Sequence, residues 1–235
     1  MAKGRTILAF AKLDVFPIEY LLSEVHKTAR ERSSVYLNHF RKHQFLLGQY
    51  LLTCLYKKYF SDLVPTINYT MSGRPFFVSS DVEFSISHSK SLVVCGISAL
   101  GHIGVDVERI NPERNWQGIA KAFFHRAEVK SISESGTPTH LFYNHWVVKE
   151  SLLKLTDQGL HRITDVFVDI ENNIIKHPFS LKGLTCWLAT VDEHVCSICL
   201  EYAGTAFYPI CVALTETDKF SNVDLQGQKF QVNCF

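Results

Sequence analysis

The chain has 235 residues, 46% hydrophobic and 20% charged, which suits a folded globular protein with a sizeable core. A formal net charge of +1 supplies no overall basic field for nucleic acid. No stretch approaches the roughly 18 apolar residues of a membrane span, and the apolar run 7–11 is too short for a signal peptide, so a cytoplasmic protein is expected.

Charge is uneven along the chain. The first 60 residues hold ten Lys/Arg against four Asp/Glu, so the remainder is net acidic. A basic front and an acidic back could divide phosphate binding from cation binding, or the asymmetry is only that of solvated faces. Seven cysteines are scattered. Cys196-Ser-Ile-Cys199 falls in a β-like run where positions i and i+3 face opposite ways, so buried reduced thiols are expected rather than a redox or metal pair.

In chain order, residues 7–13 read as a strand, and 18–30 and 33–59 as helices. In the second helix Phe40, Leu47, Leu51 and Leu55 are expected on one apolar face. Residues 71–75 form a turn at Gly73, with Pro75 excluding a helix. Strands follow at 82–87, 92–98 and 103–108, with a break at Gly101-His102. Helical patterning returns at 118–123, 126–133 and 139–155. The tail reads as strands at 166–170, 173–177, 184–191, 195–202 and 209–214. This order predicts an α+β fold of two halves, 1–101 and 102–235.

Three constellations carry chemistry. In Ile103-Gly-Val-Asp-Val-Glu108, Asp106 and Glu108 share one strand face while Ile103, Val105 and Val107 pack on the other. Like charges at i and i+2 repel unless a cation lies between them, and hard oxygens suit Mg²⁺; an edge strand facing solvent is the plainer reading. In the helix 139–155, Leu141, Val148, Leu152 and Leu155 form the apolar stripe. Trp146, Glu150 and Lys154 fall at i, i+4 and i+8 on the other side, flanked by Lys149, which a surface helix would also explain. Gly73-Arg74-Pro75 offers a turn and a forked cation that suits a phosphate or a carboxylate, and Ser87-His88-Ser89 an imidazole that either donates to a phosphate oxygen or is a core histidine bonded to backbone.

Taken in order, Gly-Arg-Pro, Ser-x-Ser-His-Ser, Gly-Val-Asp-Val-Glu, Phe123 to Glu128 as Phe-Phe-x-x-x-Glu, and Trp-x-x-Lys-Glu-Ser-x-x-Lys resemble the signature of the phosphopantetheinyl transferase superfamily. The likeness is to its long, monomeric, surfactin-synthetase-type branch. The resemblance implies two similar α+β halves about a pseudo-two-fold axis, with coenzyme A between them. It implies Mg²⁺ on Asp106, Glu108 and Glu150. Arg74, Pro75, Ser87, His88, Lys149 and Lys154 would hold coenzyme A, and Arg41, or else Lys42 or His43, its 3′-phosphate. Glu150 would act as the base, with a metal-bound hydroxide as the alternative, and the catalytic Lys149, with His88, would steady the charge that develops on the leaving side. The reaction implied is transfer of 4′-phosphopantetheine to a serine of an apo-acyl or peptidyl carrier protein, with release of 3′,5′-ADP. A non-catalytic carrier-binding module and a metal-dependent phosphohydrolase are the competing classes.

Overall fold

The computed structural model describes residues 5–202, 208–216 and 219–234. The chain begins with β1 (Thr6–Lys12), the short helices α1 (Ile18–Glu24) and α2 (Lys27–Ser33), and the long α3 (His39–Tyr59). A small hairpin, β2 (Ile67–Tyr69) and β3 (Pro75–Phe77), leads into β4 (Glu83–Ser89), β5 (Leu92–Ser98) and β6 (Ile103–Arg109). Then come α4 (Trp116–Phe123), α5 (Arg126–Glu134) and the long α6 (Pro138–Leu155). The remainder is β7 (Phe167–Asp169), β8 (Ile174–His177), β9 (Leu184–Val191), β10 (His194–Glu201), β11 (Ile210–Glu216), β12 (Lys219–Asn222) and β13 (Gly227–Cys234).

Strict alternation along the strands builds two sheets with a core on each side. The first sheet has the order β12-β11-β1-β5-β4, the second β6-β10-β9-β13-β8-β7. Ile7, Ala9, Val93, Cys95 and Ile97 turn one way, onto Leu46, Leu47 and Leu51 of α3. Leu8, Phe10 and Val94 turn the other way and join Ile103, Val105, Val107, Trp187 and Ile198 of the second sheet. The opposite face of that sheet, including Cys186, Leu188 and Val195, packs on Val148, Leu152 and Leu155 of α6. The sheets therefore share a middle core, with α3 and α6 outside.

Several expected boundaries move. Residues 18–30 are two helices, because Val25 adopts φ −75°, ψ 152° and is buried. The long helix starts at His39, where the Asn38 side chain accepts the Arg41 amide, and Phe40 lies exposed off the apolar face. β11 and β12 fall after residue 101, yet β11 pairs in parallel with β1 in the first sheet. The sheets follow spatial pairing rather than a single cut at that point.

Between β4 and β6 the seam is made by side chains. The Val105 amide donates to Ser85 Oγ (3.0 Å) and the Arg109 amide to Ser89 Oγ (3.0 Å). Ser85, Ser87 and Ser89 alternate along β4, so one face of that strand presents a row of hydroxyls to β6. Gly104 lets α6 approach: a Cβ there would press into the Ser151 carbonyl and the Leu155 backbone.

Candidate active site

Asp106 and Glu108 do share the α6-facing side of β6. Ser87 Oγ donates to Asp106 Oδ1 (2.8 Å), and Ser89 Oγ to Glu108 Oε2 (2.8 Å). The hydroxyl row that joins the strands thus also fixes both carboxylates. From α6, Lys154 Nζ donates to Asp106 Oδ1 (2.7 Å) and to Ser87 Oγ (2.9 Å). Among the described residues, Asp106 Oδ2 is buried without a hydrogen-bond partner.

Glu150 stands one helical turn before Lys154. Burial, then the charge of Asp106, with Glu108 adding, pushes its carboxyl up to about 8 against the pull of Lys154. Burial and Asp106 likewise raise Glu108, opposed by the Ser89 hydrogen bond and the charges of Arg114 and Lys154. Burial pulls the Lys154 ammonium down, but Asp106 and Glu150 outweigh it and leave it raised. The charge of Lys154 therefore reaches all three carboxylates, in direct contact with Asp106 alone, while Arg114 acts more strongly on Glu108.

Among the described residues, no group of three His, Cys, Asp or Glu is drawn together tightly enough to hold a metal ion as it stands. Lys154 takes a cation's position at Asp106 instead. The donor chemistry still fits Mg²⁺: the oxygens are hard, one Asp106 oxygen has no partner among the described residues, and burial together with the neighbouring acids holds the two glutamates above their ordinary range.

Two clefts adjoin this group. One, of about 450 Å³, is lined by Arg32, Arg41, Tyr69, Gly73, Pro75 and His88, among others. Arg41 Nη1 donates to His88 Nδ1 (3.2 Å) and to Gln44 Oε1 (3.2 Å). Because a guanidinium only donates, Nδ1 must accept, which leaves the His88 Nε2–H as a donor. Burial and then Arg41 lower the His88 pKa, which agrees with a neutral ring. Of the three upstream basic candidates, Arg41 lines the cleft, whereas His43 Nε2 turns back to the Phe16 carbonyl (2.6 Å) and Lys42 is not on the wall. The second cleft, of about 260 Å³, is lined by Arg74, Pro75, Ser85, Lys154 and Asp157. The Arg74 guanidinium is tied to Glu83 Oε2 (3.0 Å) and the Leu155 carbonyl (3.3 Å). Gly73, at φ +91°, makes the turn between the two clefts.

The structure does not bring Lys149 to this group. Its side chain is fully buried, with Nζ 3.0 Å from Glu128 Oε2 and donating to the Val166 carbonyl. Glu128 in turn accepts the Val168 and His125 amides (2.7 Å each). At 100° per residue Lys149 points away from Glu150, toward α5 and β7. Its expected place on an open helix face is corrected for the same reason: α6 is packed all round, and Trp146 is 8% exposed among Phe123, Phe124 and Phe142. Within residues 141–155 only Asn144, Glu150 and Lys154 escape full burial.

Sequence reasoning missed other residues. Arg32 lies 3.7 Å from the Tyr69 ring centroid on the cleft wall. Ser85, Ser87 and Ser89 were within the quoted motif, but their role in joining β4 to β6 and fixing the carboxylates was not read, although their alternation along the strand was the available signal. Ser87 itself is buried against Asp106 and Lys154, so it supports the carboxylate before it meets any ligand. Arg114 had no signal at all.

Residues 102–199 match the 4′-phosphopantetheinyl transferase superfamily. The chain is 26% identical over 151 residues to the 4′-phosphopantetheinyl transferase HetI of Nostoc sp., covering 60% of this chain and 62% of HetI. It is 31% identical over 159 residues to the 4′-phosphopantetheinyl transferase gsp of Aneurinibacillus migulanus, covering 64% of this chain and 63% of that protein. For Sfp of Bacillus subtilis the identity is 28% over 154 residues, covering 63% and 67%. The chain thus spans less than two thirds of the length of the first two relatives. The match takes in β6 with Asp106 and Glu108, α6 with Glu150 and Lys154, and the strands packed behind them, so that over residues 102–199 this chain is similar to the 4′-phosphopantetheinyl transferase superfamily.

Proposed function

We propose that this chain transfers the 4′-phosphopantetheine of coenzyme A to a serine of an apo-acyl or peptidyl carrier protein, with Mg²⁺ as cofactor and 3′,5′-ADP as the leaving product. The observation that carries the reading is the convergence of Asp106, Glu108 and Glu150 on Lys154 beside two clefts holding Arg41, His88 and Arg74.

The residues divide the work as follows. Arg41 binds the 3′-phosphate, and the His88 Nε2–H donates to a phosphate oxygen. Gly73, Arg74 and Pro75 lie along the nucleotide. Lys154 holds the phosphate end of the arm, and Ser87 and Ser89 hold the carboxylates in place. Asp106, Glu108 and Glu150 hold Mg²⁺. When bound, Mg²⁺ supplies positive charge that neutralises phosphate oxygens and favours ionised carboxylates. Glu150 takes the proton from the serine hydroxyl, which then attacks the β-phosphorus. The packed α6 holds Glu150 in one position for that step.

The halves 1–101 and 102–235, apart from β11 and β12, which join the first sheet, are read as two related α+β units about a pseudo-two-fold axis. Each sheet carrying one long outer helix supports this. A monomer in the cytoplasm fits clefts built within one chain and the thiols of Cys54, Cys95, Cys186, Cys196, Cys199 and Cys211. The test is to incubate the protein with coenzyme A, Mg²⁺ and an apo-carrier, then weigh the carrier. Gain of one phosphopantetheine supports the reading. Cleavage of coenzyme A without the carrier points to a hydrolase, and no reaction to a binding module.

A further inference from the structure

Trp146, Glu150 and Lys154 succeed one another by single turns along α6. Lys154, one turn after Glu150, lies on the side of the clefts and bonds Asp106. A second cation marks the other end. Arg114, in the loop between β6 and α4, has its Cζ 5.5 Å from the Trp146 ring centroid and 5.9 Å from that of Tyr143. Arg114 is half-buried and, among the described residues, its guanidinium has no ion pair and no side-chain hydrogen bond. Its charge reaches Glu108. Arg114 is absent from the walls of both clefts. Beside it Phe123 is exposed and packs edge-on against Trp146, with centroids 6.4 Å apart.

A guanidinium held against two aromatic rings has lost part of its hydration and keeps its forked donors unused, which favours a planar anionic partner. Phosphate binding has its own cations, Arg41 and Lys154, on the cleft side. Neither cleft includes Trp146, so under the transferase reading its side of the carboxylate group is left for the acceptor. We infer that Arg114 receives a carboxylate of the incoming acceptor protein, close to the hydroxyl that Glu150 deprotonates, with Phe123 and Trp146 forming an apolar ledge beside it. This rests on the transferase reading and names the acceptor's end of the site.

The test is steady-state transfer with two forms of one apo-carrier domain, chosen for carboxylates near its acceptor serine, one keeping them and one with them changed to amides. Wild type, Arg114→Gln and Arg114→Lys are compared, with circular dichroism and melting to confirm the fold. The expected result for Arg114→Gln is a roughly tenfold or greater rise in KM for the acidic carrier, with KM for coenzyme A unchanged. Arg114→Lys should recover part of the loss. The preference for the acidic carrier should vanish in Arg114→Gln and fade for wild type at high salt. An unchanged carrier KM, an equal loss with both carriers, or a rise confined to the coenzyme A KM would overturn the assignment. If wild type modifies no apo-carrier at all, the transferase reading itself has failed.

Discussion

Glu150 keeps its proton far above the ordinary carboxylate range because it shares a buried corner with two more acids. Unfolded, it titrates near 4.5; folded, near 8. In that window the folded state binds more protons. The associated stability is therefore full below about 4.5 and is lost as pH rises through 8. Glu150→Gln never ionises, so it should melt higher than wild type at pH 8 without divalent cation, with the advantage shrinking toward pH 4.5. Added Mg²⁺ at pH 8 should raise the wild-type melting temperature more than the variant's. Equal melting of both proteins at both pH values would contradict the crowding of charge seen here. The same variant should lose roughly 10²-fold or more in kcat if Glu150 is the base. At the nucleotide end, Arg41→Ala should raise KM for coenzyme A about tenfold or more, and raise it less for 3′-dephospho-coenzyme A. An equal rise for both ligands would move the 3′-phosphate elsewhere.

Two elements, β6 and α6, position the chemistry, and they differ in how far they could be read from sequence. Alternation in residues 103–108 was enough to place Asp106 and Glu108 on one face, because the apolar partners Ile103, Val105 and Val107 bury on the other. The apolar stripe of α6 was legible too, but not the covering of its other side. That depends on Phe123, Phe124 and Glu128, which reach α6 from α4, α5 and their junction. Lys149 is the consequence: a spacing that suits a phosphate contact instead closes a buried ion pair. Lys149→Met should destabilise the fold by about 3–5 kcal/mol by stranding Glu128, and pairing it with Glu128→Gln should cost less than that. Urea unfolding measures both. An unchanged midpoint with lost activity would return Lys149 to the reaction. Gly104→Ala should also destabilise, since the added methyl meets helix backbone rather than a movable side chain.

At the scale of the whole molecule, the chain closes on itself in a way that strand patterning does not reveal. β11 lies beside β1, and β13 lies between β9 and β8, so the last described strands serve both sheets. Register with distant partners is set by packing over some 200 residues, which local periodicity cannot report. A chain ending at residue 202 should lose its cooperative thermal transition, because β1 becomes an unpaired edge and β9 loses a neighbour. The account's central claim is that the acids of β6 and α6, joined by Lys154, form one cation-dependent reaction centre. Its most direct measurement sets Asp106→Asn against wild type, following transfer to an apo-carrier by mass and Mg²⁺ binding by titration calorimetry. The account predicts that wild type transfers and binds the ion. It predicts that Asp106→Asn stays folded, binds Mg²⁺ weakly or not at all, and transfers at least about 10²-fold more slowly. Transfer by Asp106→Asn at the wild-type rate in low Mg²⁺ would contradict it.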